Sequence, residues 1–211
     1  MELFFSPMAC SLASRIAIYE TGADATFTEV DTRSKRSHDG RDFRAIAPMG
    51  QVPVLRTDDG LLLSENAAVL QYLADRHPAA QLQPEGIDER AQLRQWLGFI
   101  GTELHKAVFV PLLDPRAAPE VKAYAREKTD LRLGLLQSHL AQREHLLERF
   151  SIADAYLTAV LNWAPYSGVS LADWPPVQQY HQRMLQRPSI ARAVGEEFAL
   201  YRQEQARRAS S

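Results

Sequence analysis

The sequence predicts a small α/β layer with a mixed sheet, followed by an all-α helical bundle. Short apolar runs alternate with stretches of helical periodicity in the first part, whereas the second part has helical periodicity alone. Pro78, Pro84 and Gly86 lie between the two parts in a segment of little charge, which is typical of a linker. The predicted division is a first domain at 1–79, a linker at 80–87 and a second domain at 88–211.

Each element of the first domain has a local signal. Ser6-Pro7 ends the first apolar run, Gly22 stands where a helix C-cap glycine belongs, and Asp58-Asp59-Gly60 is a hairpin signal. Residues 32–50 are polar, so we expect a loop there with at most one short helix. The other predicted elements are strands at 3–5, 26–31, 52–56 and 61–63 and helices at 12–21 and 67–74. The first two strands form a parallel pair and the last two an antiparallel hairpin.

The second domain is predicted to be helical throughout. An apolar stripe on its first helix consists of Leu93, Trp96, Leu97, Ile100, Leu104 and Val108. Pro111 is predicted to help break that helix, and a long helix then reaches about Leu147. Ser151-Ile-Ala-Asp154 has the spacing of a capping box, which gives Asp154 a structural and not a catalytic role. The composition of the polar tail after Leu200 leaves its order open.

Composition and charge exclude several classes of protein. Lys and Arg total 24 and Asp and Glu total 26, which gives a net charge of −2 and no electrostatic case for nucleic-acid binding. The single cysteine excludes an intramolecular disulfide and permits a reducing compartment. No apolar run approaches the ~18 residues of a membrane helix, and the N-terminus lacks a signal-peptide pattern. We therefore expect a cytoplasmic protein with no membrane or nucleic-acid partner.

Cys10 lies between the first strand and the first helix. A thiol at a helix N-terminus is near free N–H groups and the positive end of the helix dipole, which favour the reactive thiolate. A free cysteine is as often a small buried apolar residue. None of the six histidines has metal-ligand spacing with this cysteine, and we predict no metal site.

Two further segments and one helix end carry candidate polar groups. Val52-Pro53 opens the third long strand, where an ordinary trans proline is the default. Ser64-Glu65-Asn66 precedes a helix, so its members either cap that helix or hold a substrate carboxylate and ammonium. His105 and Lys106 end the first bundle helix, where they are either solvated or directed at Cys10.

Taken together, these signals resemble the glutathione S-transferase family over almost the whole chain, and its bacterial beta class in particular. Ala9-Cys-Ser-Leu12 and Glu103-Leu-His-Lys106 resemble the beta class, and the other matching segments are typical of the wider family. Those other segments are Gly50-Gln-Val-Pro53, Ser64-Glu-Asn66 and Phe150-Ser-Ile-Ala-Asp-Ala-Tyr156.

The resemblance implies a thioredoxin-like N-terminal domain, a helical C-terminal domain, a homodimer and glutathione as co-substrate. It implies a cis Val52-Pro53 bond, with Lys35 near the glycine carboxylate of glutathione and Glu65 and Asn66 near its γ-glutamyl end. The implied catalytic residues are Cys10, Ser11 and His105. The implied glutathione-binding residues are Ala9, Lys35, Gln51, Val52, Pro53, Glu65, Asn66 and Lys106.

The chain departs from the family pattern at a few positions. Met8 stands where the beta class usually has glycine, which narrows the loop before Cys10. Asn66 stands where serine is frequent, and Gly98 replaces an asparagine that reaches a subunit site in many members. Leu147-Glu148 replaces a glycine-containing approach to the capping box.

The predicted function is conjugation of the glutathione thiolate to small hydrophobic electrophiles in a detoxification reaction. The first helix N-terminus, the Ser11 hydroxyl and His105 are expected to stabilise that thiolate. One alternative is glutathione-dependent thiol transfer through a mixed disulfide on Cys10. Another is a ligand-binding or interaction protein that has lost catalysis on the same scaffold.

Overall fold

The computed structural model describes residues 1–209 and separates into two compact units. The first unit combines Met1–Leu82 with the residues from Arg187 onward, and the second is Gln83–Gln186. The last helix, α9 (Pro188–Ala209), therefore packs with the first unit. The domain bounds inferred from the sequence remain a prediction, because a division by packing contacts is not a test of domain boundaries along the chain.

The first unit contains a five-stranded mixed sheet in the order β3-β2-β1-β4-β5. Its central pair, β1 and β2, is parallel, and β4 and β5 form an antiparallel hairpin, as predicted. Gly60 has φ 83° in the hairpin turn, a conformation that favours glycine. The strands are β1 (Glu2–Phe5), β2 (Thr26–Asp31), β3 (Arg36–Ser37), β4 (Val54–Arg56) and β5 (Leu62–Ser64).

The segment 32–50 contains a strand that the sequence did not predict. It forms the two-residue strand β3 as well as a short 3-10 helix at Phe43–Ala45, where only a loop and one short helix were expected. The strand exists because Val30 pairs with Ser37 and Asp31 with Arg36. Pairing supplied by a neighbouring strand leaves no signal in the polar segment itself.

Helices cover this sheet and bury its apolar side chains. They are α1 (Leu12–Thr21) and α2 (Asn66–Arg76), and α9 packs against α1. Gly22 caps α1 at φ 66°, as predicted. One part of the core consists of Phe4, Val30, Phe43, Ala47 and Val54. The end of α9 is also anchored, since Glu204 is buried and Arg207 lies 3.0 Å from Glu29; residues 210 and 211 lie outside the described part.

The second unit is helical and is built around a wholly buried helix. That helix, α6 (Ile152–Leu161), has every residue buried, as expected for a core helix that is apolar on all sides. The other helices are α3 (Ile87–Phe99), a π-helical stretch (Ile100–Phe109), α4 (Val110–Leu113), α5 (Pro119–Leu140), α7 (Ala164–Ser167) and α8 (Pro175–Leu185).

Two predicted helix boundaries in this unit were wrong. Pro111 does not break the first helix, which continues to Leu113, because the wider π turn before it relieves the clash between the proline ring and preceding carbonyls. The long helix ends at Leu140 and not near Leu147. There the N–H of Leu146 donates to Asp154 Oδ1 at 2.9 Å, a bond that holds the chain in a turn.

Asp154 forms the predicted capping box and has no exposed surface. Its Oδ2 accepts from the N–H and the hydroxyl of Ser151 at 2.9 and 3.0 Å. Its Oδ1 accepts from the Leu146 N–H and the Tyr180 hydroxyl, both at 2.9 Å. Four donors converge on one carboxylate, which therefore joins α6, α8 and the turn before α6.

We predict that Asp154→Asn lowers the free energy of unfolding by about 3 kcal/mol, because an amide nitrogen then faces hydrogen-bond donors. Urea denaturation of both proteins measures this loss. Asp173→Asn is the matched control, since Asp173 is exposed, and its unfolding midpoint should not move. An unchanged midpoint in Asp154→Asn would contradict the capping role.

Candidate active site

Cys10 lies in a tight loop between β1 and α1. The Ala9 N–H donates to the Ser6 carbonyl at 3.0 Å and closes this loop. The Cys10 thiol is half-buried and donates to the Val52 carbonyl at 3.3 Å. The cysteine thus lies just before α1, with its sulfur directed at the segment before β4 and partly exposed.

The Ser11 hydroxyl is fully buried in the same loop. It accepts from the Ser6 N–H at 3.2 Å and donates to the Ser6 carbonyl at 3.3 Å. Both contacts are with the main chain of the loop, so the hydroxyl stabilises the loop before α1. Its predicted catalytic role remains a prediction.

The segment before β4 contains the predicted residues Gln51, Val52 and Pro53. The Val52-Pro53 peptide bond is cis, and Gln51 is exposed while Pro53 is buried. The Val52 carbonyl accepts the Cys10 thiol contact described above, which places this segment beside the cysteine.

Lys35 is held against the segment that precedes Gln51. Its Nζ donates to the Gly50 carbonyl at 2.8 Å. Gly50 has φ 60°, and a Cβ at this position would lie 2.9 Å from Lys35 Cδ. Glycine is therefore favoured by the backbone conformation, and a larger residue here would also displace the Lys35 side chain.

Glu65 and Asn66 form the start of α2. Asn66 is buried, its Nδ2 donates to the Cys10 carbonyl at 2.9 Å, and its Oδ1 accepts from the Ser14 hydroxyl at 3.1 Å. The asparagine side chain therefore ties the start of α2 to the cysteine. Glu65 is exposed.

Left-handed backbone conformations are concentrated around these residues. Within residues 1–209, the non-glycine residues with positive φ are Met8 (59°), Lys35 (59°), Glu65 (68°) and Gln81 (52°). Lys35 and Glu65 are predicted site residues, and Met8 is two residues before Cys10. Such conformations are unfavourable for L-residues and cluster at functional sites. The backbone therefore supports the same location for the site as the side chains do.

His105 and Lys106 belong to the second unit. His105 is buried, its Nδ1 lies 2.8 Å from the Tyr156 hydroxyl, and its ring centroid lies 4.9 Å from that of Trp163. Burial, with a smaller effect of the Lys106 charge, lowers the pKa of His105 to about 4. The imidazole is therefore neutral at pH 7 and acts as a hydrogen-bonding group and not as a cation.

The first unit thus brings most of the predicted residues together. Cys10 contacts both Val52 and Asn66, and Lys35 contacts the neighbouring Gly50. Within residues 1–209, no cluster of three or more His, Cys, Asp or Glu side chains is arranged to hold a metal ion. The same residues include no helix with the length and hydropathy needed to span a membrane.

Comparison with known proteins identifies the family. The glutathione S-transferase N-terminal domain model matches residues 7–76, and the C-terminal domain model matches residues 102–188. Glutathione S-transferase GstA of Escherichia coli O157:H7 is 42% identical over 200 residues, which cover 93% of this chain and 98% of that protein. The chain belongs to the glutathione S-transferase family.

Solved glutathione S-transferases agree with this assignment. The sphingomonad enzyme, solved as a complex with glutathione, has a TM-score of 0.89 and 43% identity, covering 93% of this chain and 98% of that one. The bacterial beta-class enzyme of Sphingomonas chungbukensis has a TM-score of 0.89 and 42% identity with the same coverage. The predicted family, beta-class resemblance, fold class and transferase activity are confirmed, with glutathione as the co-substrate. The individual site residues stay predictions.

Sequence reasoning did not single out three buried polar residues of this glutathione S-transferase. They are Arg15, Tyr156 and Glu197. Arg15 is a lone charge within the apolar stretch Leu12–Ile18, a pattern that signals a buried ion pair. Glu197 carries no comparable signal, because a glutamate in a polar terminal helix is ordinarily exposed.

We predict that stability falls as the pH falls from about 6.5 towards 4. The unfolded chain takes up a proton on His105 near pH 6.5, whereas the folded protein does so only near pH 4. The stability contributed by the neutral, buried imidazole is therefore present above pH 6.5 and is lost over this window, by up to about 3 kcal/mol.

Unfolding free energies at several pH values test this expectation. His105→Phe should have a shallower pH dependence than the wild type, whatever its absolute stability. His38→Phe, at an exposed histidine, is the control and should keep the wild-type slope. Equal slopes for all three proteins would show that His105 does not resist protonation.

Proposed function

We propose that this chain transfers the thiolate of glutathione to small hydrophobic electrophiles. One observation carries the proposal: Cys10 contacts the other two glutathione-binding segments at once. Its Sγ lies 3.3 Å from the Val52 carbonyl, and its own carbonyl lies 2.9 Å from Asn66 Nδ2. These contacts join the segments that the family resemblance assigns to different parts of the same tripeptide.

The charges of glutathione match the groups around this loop. Lys35 offers an ammonium group for the glycine carboxylate, and Glu65 a carboxylate for the γ-glutamyl ammonium. The γ-glutamyl carboxylate is proposed to bind at the N-terminus of α2, where backbone N–H groups favour an anion. Ala9, Gln51 and the Val52-Pro53 segment then flank the cysteinyl part. The Asn66 side chain supports the Cys10 loop in this arrangement, and its backbone serves the ligand.

Thiolate stabilisation rests on dipoles more than on side-chain charge. Free thiols titrate near ~8.5, so the glutathione sulfur must be favoured as an anion at pH 7. The N-terminus of α1 supplies oriented N–H groups. The family resemblance assigns a further hydrogen bond to His105, and because Tyr156 occupies Nδ1 of its neutral ring, Nε2 is the nitrogen left to make it. Lys106 adds a positive charge.

The electrophile is assigned to the aromatic side chains near His105. The Trp163 ring lies 4.9 Å from the His105 ring and 6.1 Å from the Phe109 ring. Phe109 has no exposed surface, so the half-buried Trp163 ring is the aromatic surface proposed to receive an apolar electrophile. Catalysis then consists of thiolate supply and proximity. Both glutathione and a reduced cysteine fit the cytoplasm as the location.

Thiol transfer through Cys10 is the second candidate, favoured by the half-buried sulfur at a helix start. The Cys10 thiolate attacks the glutathione sulfur of a mixed disulfide, forms a Cys10–glutathione disulfide and releases the other thiol. A second glutathione thiolate then releases Cys10 and forms glutathione disulfide. The chain has no other cysteine, so resolution is external.

Replacement of Cys10 separates the two reactions. For conjugation we predict that Cys10→Ala keeps activity on 1-chloro-2,4-dinitrobenzene within about tenfold of the wild type, because it loses only one hydrogen-bonding group near the thiolate. Cys10→Ser is the matched control that keeps a polar side chain. Loss of conjugation in both variants, with retained thiol transfer in the wild type, would favour the second candidate.

A homodimer is part of the proposal, and exposed apolar residues on α5 support it. Val121, Tyr124, Leu131 and Leu135 have exposed fractions of 46, 60, 74 and 48%. Their spacing places them in one stripe, separate from the buried face of the helix. Lys128 lies within this stripe, with its Nζ 4.0 Å from the centroid of the Tyr124 ring. Exposed apolar side chains grouped on one helix face are typical of a protein interface.

We predict a particle of about twice the chain mass in size-exclusion chromatography with light scattering. Leu131→Glu should shift the protein to a monomer, because it buries a charge in the interface. Ala123→Glu, exposed on the same helix but outside the stripe, should leave the mass unchanged. A wild-type mass of a single chain would overturn the dimer.

A further inference from the structure

The carboxylate of Glu197 bonds to the loop that carries Cys10. Glu197 lies on α9 and has no exposed surface. Its Oε2 accepts from the N–H of Met8 at 2.8 Å, although the two residues are 189 positions apart. Met8 is two residues before Cys10 in the same tight loop. A side chain from the last helix thus holds the main chain of the candidate active site.

The backbone conformation of Met8 explains why this contact matters. Its φ of 59° is left-handed, a conformation that is easy for glycine and unfavourable for a residue with a side chain. The N–H bond to a buried carboxylate holds the backbone in that conformation. With methionine at this position, the loop depends on the carboxylate more than a loop with glycine would.

The same carboxylate is fixed on its other side by Arg15 of α1. Arg15 Nε lies 3.1 Å from Glu197 Oε1, an ion-pair contact whose angle is not that of a hydrogen bond. The Arg15 guanidinium also lies 4.2 Å from the ring centroids of both Phe5 and Phe27, and 3.0 Å from Glu196. Glu197 is therefore held rigidly between the loop and a packed cation.

The energetics of Glu197 indicate a built contact. Burial raises its pKa to about 8, although Arg15 and the Met8 N–H oppose the change and the nearby Glu196 reinforces it. Burying a carboxyl group costs free energy, and an ion pair with a buried partner does not reliably repay that cost. The presence of Glu197 in the interior is therefore best explained by the group to which it bonds. Here that group is the Met8 amide.

We propose that Glu197 is a positioning residue for Cys10 and, through it, for bound glutathione. The expected effect of Glu197 on glutathione binding rests on the proposed function. The expected effect of Glu197 on Cys10 does not. Loss of the carboxylate releases the Met8 amide, the loop relaxes from its left-handed conformation, and Cys10 moves away from the start of α1. The last helix thereby becomes part of the glutathione site.

Three substitutions at Glu197 separate positioning from bulk stability. Glu197→Ala removes the acceptor, Glu197→Asp keeps a carboxylate but shortens its reach, and Glu197→Gln keeps an acceptor of the same length. Glu196→Gln is the matched control, because Glu196 also bonds to Arg15 but has no contact with the loop. Thermal unfolding of each variant records stability separately.

Glutathione binding and Cys10 alkylation are the readouts, both made on the full chain. We expect Glu197→Ala and Glu197→Asp to raise the KM for glutathione about tenfold with a smaller change in kcat, since ligand alignment is lost. The rate at which iodoacetamide alkylates Cys10 at pH 7 should fall at least threefold, because the thiolate loses the helix N-terminus. Glu197→Gln and Glu196→Gln should stay within about twofold.

A second-site change completes the test. Met8→Gly in the Glu197→Ala background should restore much of the alkylation rate, because glycine needs no help to adopt positive φ. The proposal is overturned if Glu197→Asp alkylates like the wild type, or if Met8→Gly restores nothing in a folded double variant. If Glu197→Ala does not fold, Glu197→Asp and Met8→Gly/Glu197→Asp decide by the same criteria. Absent conjugation in the wild type would count against the proposed function alone, because alkylation requires no glutathione.

Discussion

The hydrogen bond from Asn66 Nδ2 to the Cys10 carbonyl is the contact on which the candidate site depends. It joins the start of α2 to the start of α1, two segments that are 56 residues apart in the sequence. The Val52 carbonyl meets the cysteine from a third segment. Short polar contacts of this kind fix the relative position of the three segments, and under the proposed function this reduces the ordering that binding of a flexible tripeptide would require.

The electrostatics of the site follow from burial. Burial lowers the pKa of His105 and raises that of Glu197, since desolvation penalises the charged form in each case, although the charge of Arg15 opposes the rise for Glu197. In the first unit, the groups that favour an anion are the backbone dipoles at the starts of α1 and α2, together with the charge of Lys35. Dipoles of the main chain do not titrate, and they keep their orientation as long as the loops keep their shape.

The sequence predicted those parts of the fold whose causes are local. The hairpin turn at Gly60, the Gly22 cap and the Asp154 capping box each depend on neighbouring residues. The parallel β1–β2 pair joins residues 24 positions apart, and it was predicted from the strand–helix–strand order of the segments. The contact between Met8 and Glu197 joins residues 189 positions apart, so no window of sequence contains it. Strand β3 was missed for a different reason, because its two residues are polar and carry no apolar strand pattern. For the site, the resemblance to the family predicted Cys10, Val52 and Asn66 together. It did not predict that the Asn66 side chain bonds to the Cys10 carbonyl.

The grouping of α9 with the first unit affects the order of events during synthesis. The sheet, α1 and α2 leave the ribosome early, but the helix that covers the Arg15 side of α1 is made last. Until then the Arg15 guanidinium has no carboxylate from α9, and the loop before Cys10 lacks its acceptor. A nascent chain therefore completes the sheet, α1 and α2 before either contact of Glu197 with the Cys10 loop and Arg15 can form.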